Sequence, residues 1–284
     1  MDIAGFKTIG VVGAGQMGNG IAQVCATKGL SVILYDLSTQ QLDTAKTTIT
    51  KSVDKLLAKE RISTKQHEDA LKIQFSTDLE ELTTCDLVIE AIIENESIKS
   101  ELFKKLDDLL PKECILASNT SSISITRLGA ATSRPEKFIG MHFMNPVPIM
   151  KLVEVIPGIA TDDKTSERII ELAKGLGKEV STSKDYPGFV VNRILMPMIN
   201  EAFTALMEGV ASPEDIDKGM QLGTNQPMGP LKLADFIGLD TCLAIMRVLH
   251  DGLGDSKYRP SPLLRQYVDA GWYGRKVGRG VYDY

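Results

Sequence analysis

The chain is poor in the residues that announce a metal or redox centre. Four cysteines (Cys25, Cys85, Cys114 and Cys242) are scattered over 284 residues. No C-x-x-C spacing occurs, so neither a zinc knuckle nor a dithiol pair is indicated, and no metal site is expected. Free thiols in a reducing cytoplasm are the expectation. An excess of basic charge is also missing: 32 Lys and Arg stand against 37 Asp and Glu, a net charge of −5. General nucleic-acid binding needs many phosphate-neutralising cations and is excluded as a main role, although a local basic pocket is not. No uninterrupted apolar run approaches the roughly 20 residues of a membrane helix. The longest candidate, Gly188 to Ile199, is interrupted by Asn192, Arg193 and Pro197. A strand-like run begins soon after Asp2, with neither an export signal nor an Arg- and Ser-rich transit segment, so a cytoplasmic setting is expected. Internal repeats and low-complexity tracts are lacking as well. What remains is the composition of an ordinary soluble chain, 43% apolar and 24% charged. Its length suits one large domain or two smaller ones.

Short β-rich runs alternate with longer helical stretches over the first two-thirds. Strands are expected at Thr8–Val12, Ser31–Tyr35, Asp86–Glu90, Cys114–Ala117, Phe138–His142 and Leu152–Ile156. Their continuous apolar character predicts strands covered on both faces. Helical patterns run from Met17 to Lys28, Ser38 to Ala58 and Glu96 to Leu109. Such alternation predicts a parallel sheet wrapped by helices. The character changes near Asp185-Tyr186-Pro187-Gly188, beyond which strand-like runs almost vanish. Val190 to Met207 is apolar around most of its circumference, which predicts burial, either centrally or against another subunit. Ser212-Pro213-Glu214-Asp215 reads as an N-cap, a first-turn proline and early acids. The expectation is an α/β chain with an N-terminal doubly wound, Rossmann-like sheet over residues 1–186, followed by an all-helical C-terminal domain over 187–284.

The strongest local pattern is Gly10-Val11-Val12-Gly13-Ala14-Gly15-Gln16-Met17-Gly18. A lone G-x-G-x-x-G is weak, but this one follows an apolar strand and opens a helix. Gly13 permits the tight turn, Gly15 clears a path for a pyrophosphate, and Gly18 lets the helix approach the strand. The amides at the helix start then face the phosphates. Asp36 ends the second strand, at the spacing expected of the acid that holds an adenosine ribose. A carboxylate there repels a 2′-phosphate, so NAD is favoured over NADP. The alternatives are a plain cap role for Asp36 and a flavin-binding version of the unit, for which no further signature is seen.

Only three histidines are present. His67 lies in a polar stretch and is read as solvated. His250 sits near a helix end, where a cation complements the dipole. His142 ends an apolar strand, at the edge where open α/β sheets place ligands. On the next strand Glu154 stands between valines, and a buried carboxylate is costly without a partner. If the two pair, imidazole suits the base of an alcohol oxidation, with a reference pKa of about 6.5, and glutamate orients the ring. A structural histidine beside an unrelated surface glutamate stays open as the alternative. Ser121 and Asn192 are further polar candidates, or merely caps.

A set of motifs falls in the order of one known family. These are Gly13 to Gly18, Glu94-Asn95, Ser118-Asn119-Thr120-Ser121-Ser122, Met141-His142-Phe143-Met144-Asn145-Pro146, Lys151 to Val155, Asp185 to Arg193, Pro227-Met228-Gly229-Pro230 and Gly278 to Tyr282. Over essentially its whole length the chain resembles the L-3-hydroxyacyl-CoA dehydrogenases, and among them the stand-alone bacterial 3-hydroxybutyryl-CoA dehydrogenases. The resemblance implies His142 as catalytic acid/base and Glu154 as its partner, with Ser121 and Asn192 positioning the substrate. It implies NAD held by Gly13, Ala14, Gly15, Gln16, Met17, Gly18 and Asp36, with Glu94, Lys99, Ser121, Asn145 and Lys276 in its surroundings. Ser52 and Lys59 match positions that contact coenzyme A. Lys55 shares their helix face, and Asn119 joins this group. The cations suit a phosphate-rich acyl carrier, although they also read as a solvated face. The resemblance further implies a homodimer formed through the C-terminal helices and a place in fatty-acid metabolism or butyrate fermentation. Arg275-Lys276 departs from the paired lysines of some relatives. Three rivals are disfavoured: hydroxyacid or sugar-nucleotide dehydrogenases by the His142/Glu154 pair, a hydrolase by the lack of a G-x-S-x-G elbow around Ser121, and a non-enzymatic NAD sensor by the presence of the reacting residues.

Overall fold

The apolar runs of the sequence become strands of one eight-stranded sheet. The computed structural model describes residues 2–284. In chain order the first part contains β1 (Thr8–Val12), α1 (Gln16–Thr27), β2 (Ser31–Tyr35), α2 (Thr39–Ala58), α3 (Thr64–Ala70), β3 (Gln74–Ser76) and β4 (Leu87–Glu90). It continues with α4 (Glu96–Leu109), β5 (Ile115–Ser118), α5 (Ile125–Gly129), β6 (Phe138–Phe143), β7 (Leu152–Pro157), α6 (Asp163–Gly175) and β8 (Glu179–Thr182). The spatial order is β3-β2-β1-β4-β5-β6-β7-β8. Its first six strands follow the order of the doubly wound dinucleotide-binding fold. Inner strands such as β4 and β5 are buried at every residue, as continuous apolar runs require.

Two features differ from the sequence expectation. The sheet is mixed rather than wholly parallel, because β6 and β7 pair antiparallel while the other neighbours pair parallel. Residues 144–151, which join β6 to β7, fall short of the dozen or so that a parallel crossover needs. This link, with a cis Asn145–Pro146 bond, is held by Lys178, whose buried ammonium donates to the carbonyls of Val147 (2.5 Å) and Met150 (2.7 Å). The second difference is the pair of edge strands, β3 and β8, which the sequence reading omits. Both are short and carry partly exposed residues.

The chain divides into two compact units, the first ending at Tyr186 and the second opening at Pro187. The core of the first lies between the sheet and its helices and includes Ile9, Val11, Ile21, Leu34, Ile89, Met141 and Val155. The second unit comprises α7 (Val191–Met207), α8 (Pro213–Gly223), α9 (Pro230–Ile237), α10 (Leu239–Leu253) and α11 (Pro262–Asp269). Ser212 caps α8 and Pro213 fills its first turn. Phe203, Leu231, Leu239, Met246 and Leu264 fill the core of this unit. α7 is not buried on every side: Met196, Ile199 and Phe203 face the core, whereas Ile194 is 68% exposed and Val190 and Met207 are also exposed. Near the chain's end, the buried Asp235 accepts hydrogen bonds from Val281 N, Tyr282 N and the Tyr284 hydroxyl. Asp217 accepts from the Tyr282 hydroxyl. All four cysteines are buried free thiols, and burial pushes each of them up to about 12.

Candidate active site

The glycine turn joins β1 to α1. At Gly13, with φ +103°, a side chain would press on the Ala91 carbonyl oxygen, 2.7 Å from its first carbon. At Gly18 a side chain would collide with the carbonyl of Gly13, so helix and turn meet without a spacer. At Gly15 a side chain would meet nothing within 4 Å, which leaves open space over the backbone. Gly15 occupies the N-cap position of α1 and offers no side-chain cap, so the first amides of the helix are available to an anion. Asp36, at the end of β2, accepts from Ala14 N (2.8 Å) and Ser38 N (2.9 Å). Its carboxylate therefore fixes the turn as well as lying beside it. An open cradle, uncapped amides and an acid at the next strand's end are what a dinucleotide diphosphate and ribose require.

Three residues farther along the sheet meet at hydrogen-bond distance. His142 on β6 and Glu154 on β7 are direct partners in the antiparallel ladder, which puts their side chains on one face. His142 Nδ1 lies 2.8 Å from Glu154 Oε2, with both residues buried. The turn after β5 places Ser121 Oγ 3.0 Å from His142 Nε2. A carboxylate only accepts, so Nδ1 donates to Glu154. In the neutral ring Nε2 is then the acceptor of a hydrogen bond donated by the Ser121 hydroxyl. The arrangement can take up a proton at Nε2 and stabilise the resulting imidazolium against Glu154.

A second polar group adjoins this one; Glu94 and Lys99 in it are among the residues expected around the cofactor, whereas Glu90 was not foreseen from the sequence. Glu90, the last residue of β4, accepts from Ser118 Oγ (2.6 Å) and Ile92 N (2.7 Å) and is ion-paired with Lys99. Burial pushes the Glu90 carboxyl up, against the pull of Lys99 and its hydrogen bonds. Lys99 also reaches Glu94 Oε2 at 3.3 Å. Glu94 Oε1 accepts from Thr120 Oγ1, Ser121 N and both Ser122 N and Oγ. Burial acts to raise the Glu94 carboxyl, but Lys99 and these hydrogen bonds outweigh it and hold it below the usual range. One signal was available for Lys99: it shares the buried stripe of α4 with Phe103 and Leu106.

The remaining candidates differ in burial. Asn119 is buried at the end of β5, and its Oδ1 accepts from Phe143 N at 2.8 Å. It is thus built into the support of the His142 strand rather than placed on α2. Asn145 is exposed in the β6–β7 link. Lys55 and Lys59 are exposed at the end of α2, and Ser52 is half-buried one turn before. Asn192 is buried in the first turn of α7. Lys276, in the second unit, pairs with both oxygens of Asp240 at 2.6 Å. His67 is less solvated than its sequence setting predicts, because its ring pairs with Asp54 on α2 at 2.7 Å. His250 occupies the last turn of α10. At the opposite, amino-terminal ends of β1, β2 and β3 lies a polar cavity of about 380 Å³, lined by Thr8, Ser31, Asp69, Lys72 and Gln74. Asp69 there is already tied to Lys65 and Lys72.

Residues 8–186 match the family model described as 3-hydroxyacyl-CoA dehydrogenase, NAD binding domain. Residues 188–284 match its C-terminal domain. A probable 3-hydroxybutyryl-CoA dehydrogenase of Deinococcus radiodurans is 58% identical over 275 residues, covering 97% of this chain and 99% of that relative. A 3-hydroxybutyryl-CoA dehydrogenase of Bradyrhizobium diazoefficiens is 56% identical over 280 residues, covering 98% and 96%. The crystal structure of (S)-3-hydroxybutyryl-CoA dehydrogenase from Ralstonia eutropha superposes with a TM-score of 0.95 at 54% identity, covering 98% of this chain and 99% of that one. The chain belongs to the 3-hydroxyacyl-CoA dehydrogenase family.

Proposed function

We propose that this chain interconverts (S)-3-hydroxybutyryl-CoA and acetoacetyl-CoA with NAD(H), with His142 as the acid/base. The observation that carries the reading is the buried Glu154–His142 pair, in which the second ring nitrogen, Nε2, stands 3.0 Å from the Ser121 hydroxyl. Bound NAD supplies the acceptor for the hydride leaving C3 of the hydroxyacyl chain. The 3-hydroxyl proton passes to His142 Nε2, and in the reverse direction the imidazolium returns it to the forming alcohol. Glu154 holds the tautomer and offsets the positive charge on the ring. Ser121 and Asn192 orient the 3-oxygen and the thioester. Gly13, Ala14, Gly15, Gln16, Met17, Gly18 and Asp36 hold the cofactor, and its surroundings include Glu94, Lys99, Asn145 and Lys276.

The acyl carrier is read as coenzyme A bound along Ser52, Lys55 and Lys59, whose exposed ammonium groups suit its phosphates. The first unit serves the nucleotide and the second serves substrate binding and dimerisation. The exposed apolar side chains Val190, Ile194 and Met207 support a homodimer. Among the described residues no helix is long and apolar enough to cross a membrane, and a cytoplasmic setting is proposed.

The test is the loss of nicotinamide absorbance on addition of acetoacetyl-CoA, with free acetoacetate as control. Reduction of the thioester far faster than of the free acid is expected, and equal rates would remove the acyl-CoA assignment. His142→Gln should lower kcat by about 10²–10⁴-fold while NADH binding persists. Cofactor affinity collapsing along with activity would assign His142 to binding or folding instead.

A further inference from the structure

The steps described above leave Lys178 without a role. It is 8% exposed, and burial lowers its pKa from the ordinary lysine value. A turn at Gly177, with φ +79°, closes α6 and delivers it, and Lys178 N donates to the Ala173 carbonyl at 3.0 Å. A buried ammonium is costly without a counter-charge. Its acceptors are nonetheless two carbonyls of one segment, those of Val147 (2.5 Å) and Met150 (2.7 Å). That segment is the 144–151 link, which leaves the His142 strand and carries Asn145. It folds back on itself, because Ile149 N and Met150 N both donate to the Pro146 carbonyl at 3.0 Å. It also meets α1. A side chain at Gly20 would press on Val147, with only 2.8 Å between the two Cβ atoms. Gly20 follows the Gly13 to Gly18 pattern by two residues and lies just beyond the start of α1. Its bare backbone lets the link rest directly on the cofactor helix. The link is thus tied to the start of β8 through Lys178 and seated on α1 at Gly20.

We propose that Lys178 is a positioning residue of the cofactor site, whose ammonium gathers the 144–151 link and holds it on α1 at Gly20, keeping the link and the Asn145 it carries in place for NAD. The proposal rests on the reading of Asn145 as part of the cofactor surroundings. His142 is held independently, by the β6–β7 ladder, by Glu154, and by Asn119, which accepts from Phe143 N. Loss of the Lys178 ammonium therefore reaches the cofactor and spares the acid/base. The signature is weaker NADH binding with kcat preserved, a split that removal of uniform cofactor binding produces and general loosening of the fold does not.

The experiment measures Kd for NADH by fluorescence titration, together with kcat and both KM values in the reduction of acetoacetyl-CoA. Lys178→Met should raise Kd and KM for NADH by about tenfold, the scale of one hydrogen bond to a charged group. Both kcat at saturating NADH and KM for acetoacetyl-CoA should stay within about twofold of the wild type. Val147→Ala keeps the ammonium but trims the side chain that meets Gly20. It should raise Kd for NADH in the same direction, and it decides the matter if Lys178→Met does not fold. In the double variant the two losses should combine to less than their product, because both loosen one link. Arg134→Met removes another buried cation from backbone carbonyls and should leave Kd for NADH unchanged. An unchanged Kd in Lys178→Met or Val147→Ala, a loss carried by kcat alone, independent losses in the double variant, or an equal loss in Arg134→Met would each overturn the proposal. Asn145→Ala tests the underlying reading separately. An unchanged Kd for NADH there removes Asn145 from the cofactor surroundings, whereas Lys178→Met decides the hold on the link.

Discussion

Helix α4 carries a buried ion pair at each end. In the first turn Lys99 meets Glu90, and in the last turn Asp107 meets Arg134 at 2.6 Å. The chemistry is the same, and the neighbours are not. Arg134 spends its remaining donors on backbone carbonyls, those of Asp107 and Leu110 among them, and so closes the carboxyl end of the helix. It touches no group of the reacting centre. Lys99 passes its charge on to Glu94, which is bonded to the Ser121 turn. A buried salt bridge is weak evidence for stability and no evidence for function by itself. What separates these two is where the next hydrogen bond leads.

Removing one partner from each pair sharpens the contrast. Lys99→Met leaves Glu90 buried without its cation. Stability should fall by about 3–5 kcal/mol, and kcat of the folded fraction by about 10²-fold, read by urea unfolding and by assay. Arg134→Met should cost a similar amount of stability, about 3–5 kcal/mol, with kcat per folded molecule unchanged. A fall in kcat there would erase the distinction. A smaller effect concerns pH. Burial acts to raise the Asp107 carboxyl, but hydrogen bonds from Ser133 and Arg134 outweigh it and hold it below the usual range. The folded state therefore binds the proton less readily than the unfolded chain. This stabilisation is complete above the unfolded value of about 3.9 and is lost as pH falls through the lower folded value. Asp107→Asn should flatten the fall of Tm below about pH 4; an unaltered acid limb would show that Asp107 contributes little. The smallest effect is expected at Asp69, whose partners Lys65 and Lys72 are 81% and 70% exposed. Asp69→Asn should cost less than about 1 kcal/mol and leave activity unaltered, which sets the scale for a pair outside the core.

The glycine turn was legible in the sequence because it depends on local backbone geometry: Gly13 adopts φ +103° and Gly18 packs on the Gly13 carbonyl within one strand–turn–helix unit. The inner strands were legible because burial on both faces leaves a continuous apolar run. β3 and β8 were not, since an edge strand needs only part of its surface covered and its sequence resembles a loop. The direction of the β6–β7 pairing was also missed. The residues alone placed His142 and Glu154 on successive strands, with pairing left open. Only the antiparallel register makes them direct neighbours, and the shortness of the 144–151 link was the unused clue. The charged group around Glu90 was the least legible. A lysine in a helix and an acid at a strand end look alike whether solvated or buried. What distinguishes Lys99 is its place among Phe103 and Leu106 on the inner stripe, a pattern visible only once position outweighs residue type.

The deeply placed thiols have a practical consequence. With all four held as neutral –SH groups inside the protein, the native surface should be nearly inert toward maleimides under mild conditions. A lone cysteine substituted for the exposed Leu37, just beyond Asp36, would then take up a fluorophore almost without background. Its emission would register nucleotide arrival directly, before any turnover.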